Sequence, residues 1–353
     1  MKSNITICYY ISGHGLGHAA RDSQVIRKFP KNCRVLVRTC APANFIRRES
    51  GREVEVSGTR ADVTPTQLDN RSIDWQSTAA SVLKAHENRR SILREETDFL
   101  RSENVDVVIS DISAMAFPAA AAAGVPASAL GNFTWADILE PEIDRFPRLE
   151  PVIAQWQSDY ATARCMLRCG LNLPMDYFPE VCDIGLIGRC GNEVRSQLAT
   201  HLNLAPGSKI VLLYFGIYDA DEDFIPDLPG THFIAFSKGA RGVVSLDPSE
   251  WYFPDVLASV DCVIAKPGYG TISECMANGI PVVYHPRSGF AEYTALHKGL
   301  IQWGGAVEIS NHALESGNWS ESLEKAMLLK PVKVPAPGAK AAADHVMQSL
   351  AAR

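Results

Sequence analysis

No stretch of the 353 residues approaches the ~20 consecutive apolar residues that a bilayer span requires, so no transmembrane segment is expected. An excess of basic charge is also missing. Against 40 Asp and Glu stand only 34 Lys and Arg, and the formal charge of −6 supplies no field for holding nucleic acid or an anionic membrane. Paired cysteine motifs are absent too. The nine cysteines are odd in number and scattered from Cys8 to Cys275, and the close pair Cys165 and Cys169 has no second pair at zinc-site spacing. Several thiols sit inside apolar runs, as Cys8 and Cys262 do, which fits free, buried cysteines in a reducing compartment rather than a disulfide framework. Nor does the N-terminus read as a charged-then-apolar leader with a cleavage site. The expected setting is therefore cytoplasmic.

What is present is a repeated rhythm. Short apolar runs alternate with longer amphipathic segments, the pattern of parallel sheets flanked by helices. Strands are predicted at 5–11, 34–39, 105–109 and 126–130, then at 209–215, 231–236, 262–265 and 281–284. The stretch 75–103 has neither Pro nor Gly and predicts one long helix, and 339–352 predicts a last one. Between 173 and 191 the pattern thins around Pro174 and Pro179. The predicted organisation is an N-terminal acceptor-side Rossmann-like domain over 1–183 and a C-terminal nucleotide-sugar-binding domain over 184–335. The helix of 336–353 is expected to pack back on the first. Two open parallel sheets in series place ligands at the carboxyl ends of their strands, facing a central cleft.

The candidate chemistry lies at those strand ends. Directly after the first strand comes Gly13-His14-Gly15-Leu16-Gly17-His18. Glycines let backbone approach a ligand closely. Two imidazoles are more than a turn needs, and an imidazole near its ordinary pKa of ~6.5 can take a proton from an attacking hydroxyl. The alternative is that they only cap the helix or bind backbone. A dinucleotide fingerprint is excluded, because the spacing is Gly-x-Gly-x-Gly and the second strand ends in Arg38-Thr39-Cys40, without an acidic residue.

The second motif is Lys266-Pro267-Gly268-Tyr269-Gly270-Thr271-Ile272-Ser273-Glu274. Free amides at a helix start with Lys266 beside them suit a diphosphate, and Glu274, one turn in, suits ribose hydroxyls. Thr271 and Glu274 also have the spacing of a capping box that needs no ligand. In the N-terminal half, Asp111 follows a buried strand as Ser110-Asp111 and reads either as a site carboxylate or as a helix cap. Asn132 and Trp135, in Gly131-Asn132-Phe133-Thr134-Trp135, read as an acceptor-side wall suited to sugars and other polyols.

The two glycine motifs, in this order, resemble the GT-B glycosyltransferases. The more specific similarity is to the glycosyltransferase-like N-terminal region of plant arabinokinases and its stand-alone bacterial relatives. It rests on Tyr9-Tyr10 leading into Gly13–His18, on Ser110-Asp111, on Asn132-Phe133-Thr134-Trp135-Ala136-Asp137 and on Gly268–Glu274, and spans nearly the whole chain. The 353 residues carry no galactokinase-type kinase domain, so kinase activity is not among its implications. More distantly the chain is similar to the N-acetylglucosaminyltransferase that makes lipid II. That resemblance implies a metal-independent transferase with no cofactor, taking a nucleotide-diphosphate sugar of UDP type and a hydroxyl acceptor. It implies His18, failing that His14, as base in the turn built on Gly13, Gly15 and Gly17. It further implies Lys266, Gly268, Tyr269, Gly270, Thr271 and Glu274 around the nucleotide, with Glu292 as the hexose contact.

One departure stands out. Such enzymes usually have a glycine- and serine-rich loop at the first turn of the second half, where this chain reads Asp219-Ala220-Asp221-Glu222-Asp223. Carboxylates beside a diphosphate repel it unless they point away or a cation intervenes. Asp219-x-Asp221 matches the metal motif of the other glycosyltransferase fold, but a solvated acidic loop is the reading taken here. Two alternative functions stay open: a non-catalytic binding or regulatory protein on the same scaffold, and a nucleotide-sugar epimerase.

Overall fold

Short runs of β-branched and aliphatic residues form parallel strands, several joined by helical crossovers, as helix Gly17–Lys28 joins Thr6–Tyr10 to Arg34–Arg38, while Met166–Cys169 and Val181–Gly185 are joined by a loop. The computed structural model describes residues 5–68, 72–215, 225–237 and 241–351. The acidic loop at Asp219–Asp223 lies outside them. By contacts the chain divides into two units, one of Met1–Gln67, Ile73–Ile187 and Pro337–Arg353, the other of Leu68–Ser72 and Gly188–Ala336.

The first unit holds β1 (Thr6–Tyr10), β2 (Arg34–Arg38), β3 (Glu55–Ser57), β4 (Val107–Ser110), β5 (Ala127–Gly131), β6 (Met166–Cys169) and β7 (Val181–Gly185). They form a parallel sheet in the order β3-β2-β1-β4-β5-β6-β7. All of β4 is buried, as an unbroken apolar run between two helical layers must be. The second unit holds β8 (Lys209–Tyr214), β9 (Thr231–Ala235), β10 (Val243–Ser245), β11 (Cys262–Ala265), β12 (Val282–Tyr284) and β13 (Ala306–Glu308), ordered β10-β9-β8-β11-β12-β13 and again parallel. Its core includes Trp319, packed edge-on to Phe233 at 5.7 Å. The last helix, Gly338–Ala351, packs on helix Gly17–Lys28 and on β7 of the first unit. Gly338 is needed there, since a Cβ would stand 2.8 Å from the Leu186 carbonyl oxygen.

In both sheets the strand order reverses between two neighbours, β1 and β4 in one, β8 and β11 in the other. Ligands of open α/β sheets bind at such points. The glycine-histidine turn follows β1 and Asp111 follows β4, while Lys266 follows β11.

Two expectations need correction. The single helix over 75–103 is two, Trp75–Glu87 and Arg89–Ser102. The break falls at Asn88, whose side-chain amide donates to the Lys84 carbonyl at 2.8 Å and competes with the helical ladder, so neither Pro nor Gly was required. The capping box at Thr271 is also absent. Helix Tyr269–Asn278 starts at Gly268 without a side-chain cap, and Thr271 already lies inside it. The Glu274 carboxylate is engaged by an arginine instead.

Candidate functional sites

In the first unit, Tyr10 and Ser110 are register partners on β1 and β4, so the residues following each strand emerge side by side. Gly15 has φ +68, a left-handed conformation that favours glycine, and helix Gly17–Lys28 begins immediately after this turn. That geometry brings His18 onto Asp111. His18 Nδ1 lies 2.7 Å from Asp111 Oδ2. Asp111 is fully buried and His18 is 8% exposed.

Arg21, one turn further along the same helix, contacts the other oxygen of Asp111 and donates to Asn132 Oδ1 at 3.1 Å and to Asp22 at 3.2 Å. Burial alone would raise the Asp111 carboxyl. The Arg21 guanidinium, and then His18, more than offset this and hold it well below the usual carboxylate range. Asp22 goes the other way, pushed up first by burial and then by the charge of Asp111. Two buried carboxylates thus sit around one guanidinium, and the one facing His18 keeps the negative charge. An ionised Asp111 fixes the proton of the imidazole on Nδ1, which makes Nε2 the basic atom.

The Asp111 position is built at some cost. Ile112 has φ +56, a conformation that β-branched residues rarely adopt, and Tyr160 hydroxyl donates to its carbonyl at 2.6 Å. Gly131 lies close by, where a Cβ would stand 2.8 Å from the Ile112 side chain. Asn132 and Trp135 are 1% and 2% exposed. Asn132 therefore serves Arg21 and presents no open wall, and the Trp135 ring packs edge-on to His14 at 5.3 Å and lies 5.8 Å from His18. His14 is half-buried, Gly13 and Gly15 likewise, and Gly17 is exposed.

Asp62 is a residue that sequence reading did not single out. Its Oδ2 accepts from the Gly13 amide at 2.8 Å and from Ser12 at 3.2 Å, bracing the turn, while the buried Oδ1 has no partner among the described residues. Burial is the largest influence on this carboxyl and pushes it up to about 6, although the Gly13 amide and the charge of His18 pull it down. A folded-state pKa above the unfolded value means that the native state holds the extra proton between about pH 4 and 6, so this group's contribution to stability falls as pH rises through that window. Asp62→Asn is accordingly expected to be more stable than wild type at pH 7 and to lose that advantage near pH 4. Urea unfolding of both proteins across the range checks this, and a stability difference that ignores pH would refute it.

In the second unit, Lys266 is half-buried at the end of β11 and Gly268 caps helix Tyr269–Asn278. The first N–H groups of any helix have no carbonyl within it, and here Tyr269, Gly270 and Thr271 supply them. Glu274 is 4% exposed and bound side-on by Arg189, with Nε on Oε1 and Nη2 on Oε2 at 3.2 Å. Asn278 holds the arginine's segment to the same helix, donating to the Arg189 carbonyl at 2.9 Å and accepting from the Gly191 amide at 3.0 Å. Glu292 is buried at the first position of helix Glu292–Trp303. Among the described residues, no group of three or more His, Cys, Asp or Glu is placed to hold a metal ion, and no helix is long and apolar enough to cross a membrane.

No protein-family model matches the chain. Arabidopsis thaliana L-arabinokinase is 28% identical over 361 aligned positions, which cover 99% of this chain and 35% of that protein. The chain thus spans about a third of its relative's length. Among solved structures it is similar to a Polygonum tinctorium UDP-glucosyltransferase, with TM-score 0.62 at 11% identity, covering 99% of this chain and 94% of that one. It is also similar to Acinetobacter baumannii MurG, with TM-score 0.53 at 13% identity over 99% and 100% of the two chains. The fold is GT-B: two Rossmann-like parallel-sheet units of the glycosyltransferase type.

Proposed function

We propose that this chain is a glycosyltransferase that moves a sugar from a nucleoside-diphosphate donor, uridine being the favoured base, to a hydroxyl acceptor. The observation that carries the reading is His18, held in the turn after β1 with Nδ1 on a buried, ionised Asp111. In this reading the acceptor oxygen attacks the anomeric carbon as its proton passes to His18 Nε2, and the bond to the diphosphate breaks. Asp111 stabilises the imidazolium that forms. Arg21, Asn132 and Asp22 position Asp111 and do not touch substrate.

The second unit takes the donor. The helix amides of Tyr269, Gly270 and Thr271, with Gly268 allowing close approach and Lys266 alongside, stabilise the departing diphosphate without a metal ion. Glu274 accepts from ribose hydroxyls, and Glu292 serves the hexose. His14 and Trp135 flank the base. The free, buried thiols of Cys8, Cys165, Cys169, Cys262 and Cys275 suit work in the reducing cytoplasm.

A thermal-shift titration tests the donor assignment. Uridine diphosphate and its sugars are expected to raise Tm saturably, by an amount equivalent to about 2.7 kcal/mol at 100 times Kd, while uridine alone does less. A melting curve indifferent to every nucleotide and nucleotide sugar would sink the proposal. Saturable binding with no hydrolysis or transfer would favour the non-catalytic alternative.

A further inference from the structure

Arg287 has no role in the chemistry described above. It lies in the turn that follows β12 and enters helix Glu292–Trp303, and it is 7% exposed. Its guanidinium covers the Phe290 ring at 3.9 Å. Among the described residues neither Nε nor Nη2 has a hydrogen-bond partner, although both atoms are shut off from solvent. Burial pulls the guanidinium down from its ordinary value, and the charge of Glu292 offsets only part of this. A guanidinium does not give up its proton in a protein, so the charge stays where it is.

Packing over Phe290 does not require this residue, because methionine would cover the ring without burying a charge. What distinguishes Arg287 is which atoms are unpartnered. Nε–H and the neighbouring Nη2–H lie parallel along one edge of the guanidinium and form a fork for two oxygens of one carboxylate or phosphoryl group. The position fits as well. Ala265 and Tyr284 are register partners, so Lys266 and the Arg287 turn leave the same edge of the sheet, and the helices that follow pack together.

We propose that Arg287 is the anion-recognising, specificity-determining residue of the donor site, gripping through Nε and Nη2 a two-oxygen anion carried by the nucleotide sugar. This rests on the donor reading above and extends it to the class of donor. The anion has two possible sources, a phosphoryl group of the diphosphate or a carboxylate on an acidic sugar, and one experiment separates them.

Uridine, UDP, UDP-glucose, UDP-glucuronate and inorganic pyrophosphate are titrated calorimetrically into wild type, Arg287→Gln and Arg287→Lys. Arg287→Gln should weaken the ligands that carry the recognised anion by about 10–100-fold and leave uridine unchanged. Weakening already at UDP assigns the phosphoryl group; weakening confined to UDP-glucuronate assigns the carboxylate. Lysine, a point charge without the fork, should restore only part of the loss. Without ligand, Arg287→Gln and Arg287→Met should melt no lower than wild type. Wild-type affinities in Arg287→Gln for all five ligands overturn the inference and leave the donor reading standing. If wild type binds no nucleotide, the donor reading fails, and pyrophosphate binding lost in Arg287→Gln is then the result that keeps the anion site. A wild type that also ignores pyrophosphate removes it.

Discussion

Replacing His18 with alanine is expected to lower transfer about 10²–10⁴-fold, the usual contribution of a positioned general base, while donor affinity stays close to wild type. The separation follows from where the groups reside. His18 and its partners Asp111 and Arg21 belong to the first unit, whereas the proposed donor contacts belong to the second. The buried Asp111 supports Nδ1 of His18, and His14 has a different environment against Trp135. His14→Ala should therefore cost much less than His18→Ala. The reverse ranking would transfer the role of base to His14. Because His18 is 8% exposed, a packing loss must be separated from a rate loss. His18→Gln keeps bulk and hydrogen bonding without a comparable base, so slow turnover at a wild-type melting temperature assigns chemistry. A fall in Tm with the rate per folded molecule unchanged would make the histidine structural.

The central strands were legible because they are buried on both faces and therefore read as unbroken apolar runs, β11 at 262–265, where it stands; the short, part-exposed β3, β10 and β13 carry no such run and were not read. The histidine turn and Asp111 were legible because each directly follows such a strand, and strand ends are where a parallel sheet exposes ligand-binding backbone. Pairings between distant residues were not. Arg21 and Arg189 look in sequence like ordinary solvent-facing charges, and only the folded chain shows that each neutralises a buried carboxylate. Asp62 lies in an irregular stretch without periodicity, so nothing in its neighbourhood announced contact with Gly13. Asn132 was recognised as part of a motif but given the wrong surroundings, since polar residues at strand ends are expected to meet ligand and this one meets Arg21. The break at Asn88 escaped for a local reason, a side chain competing for a carbonyl within otherwise helix-forming sequence.

The ion pair between Arg189 and Glu274 should give the largest stability effect. Side-chain exposure is 10% for the arginine and 5% for the glutamate, so removing one partner leaves the other charge in a poorly solvated place. Glu274→Ala is therefore expected to cost about 3–5 kcal/mol of unfolding free energy, several times what loss of a helix cap would cost. Replacing both partners, as in Arg189→Met with Glu274→Leu, should recover most of that loss, because desolvation offsets much of a buried pair's attraction. Urea unfolding of the two single variants and the double variant supplies the comparison. A Glu274→Ala protein as stable as wild type would mean that the pair contributes nothing to the fold. Compared with Arg189→Met alone, at matched melting profiles, the double variant also isolates the proposed ribose contact, since the two differ by the carboxylate at 274. UDP affinity lowered by about 1–3 kcal/mol in that background would assign Glu274 to the nucleotide as well as to Arg189. Unchanged affinity would leave the carboxylate as a strut for the segment that Asn278 also holds, and would pass recognition of the nucleotide to the amides of Tyr269, Gly270 and Thr271.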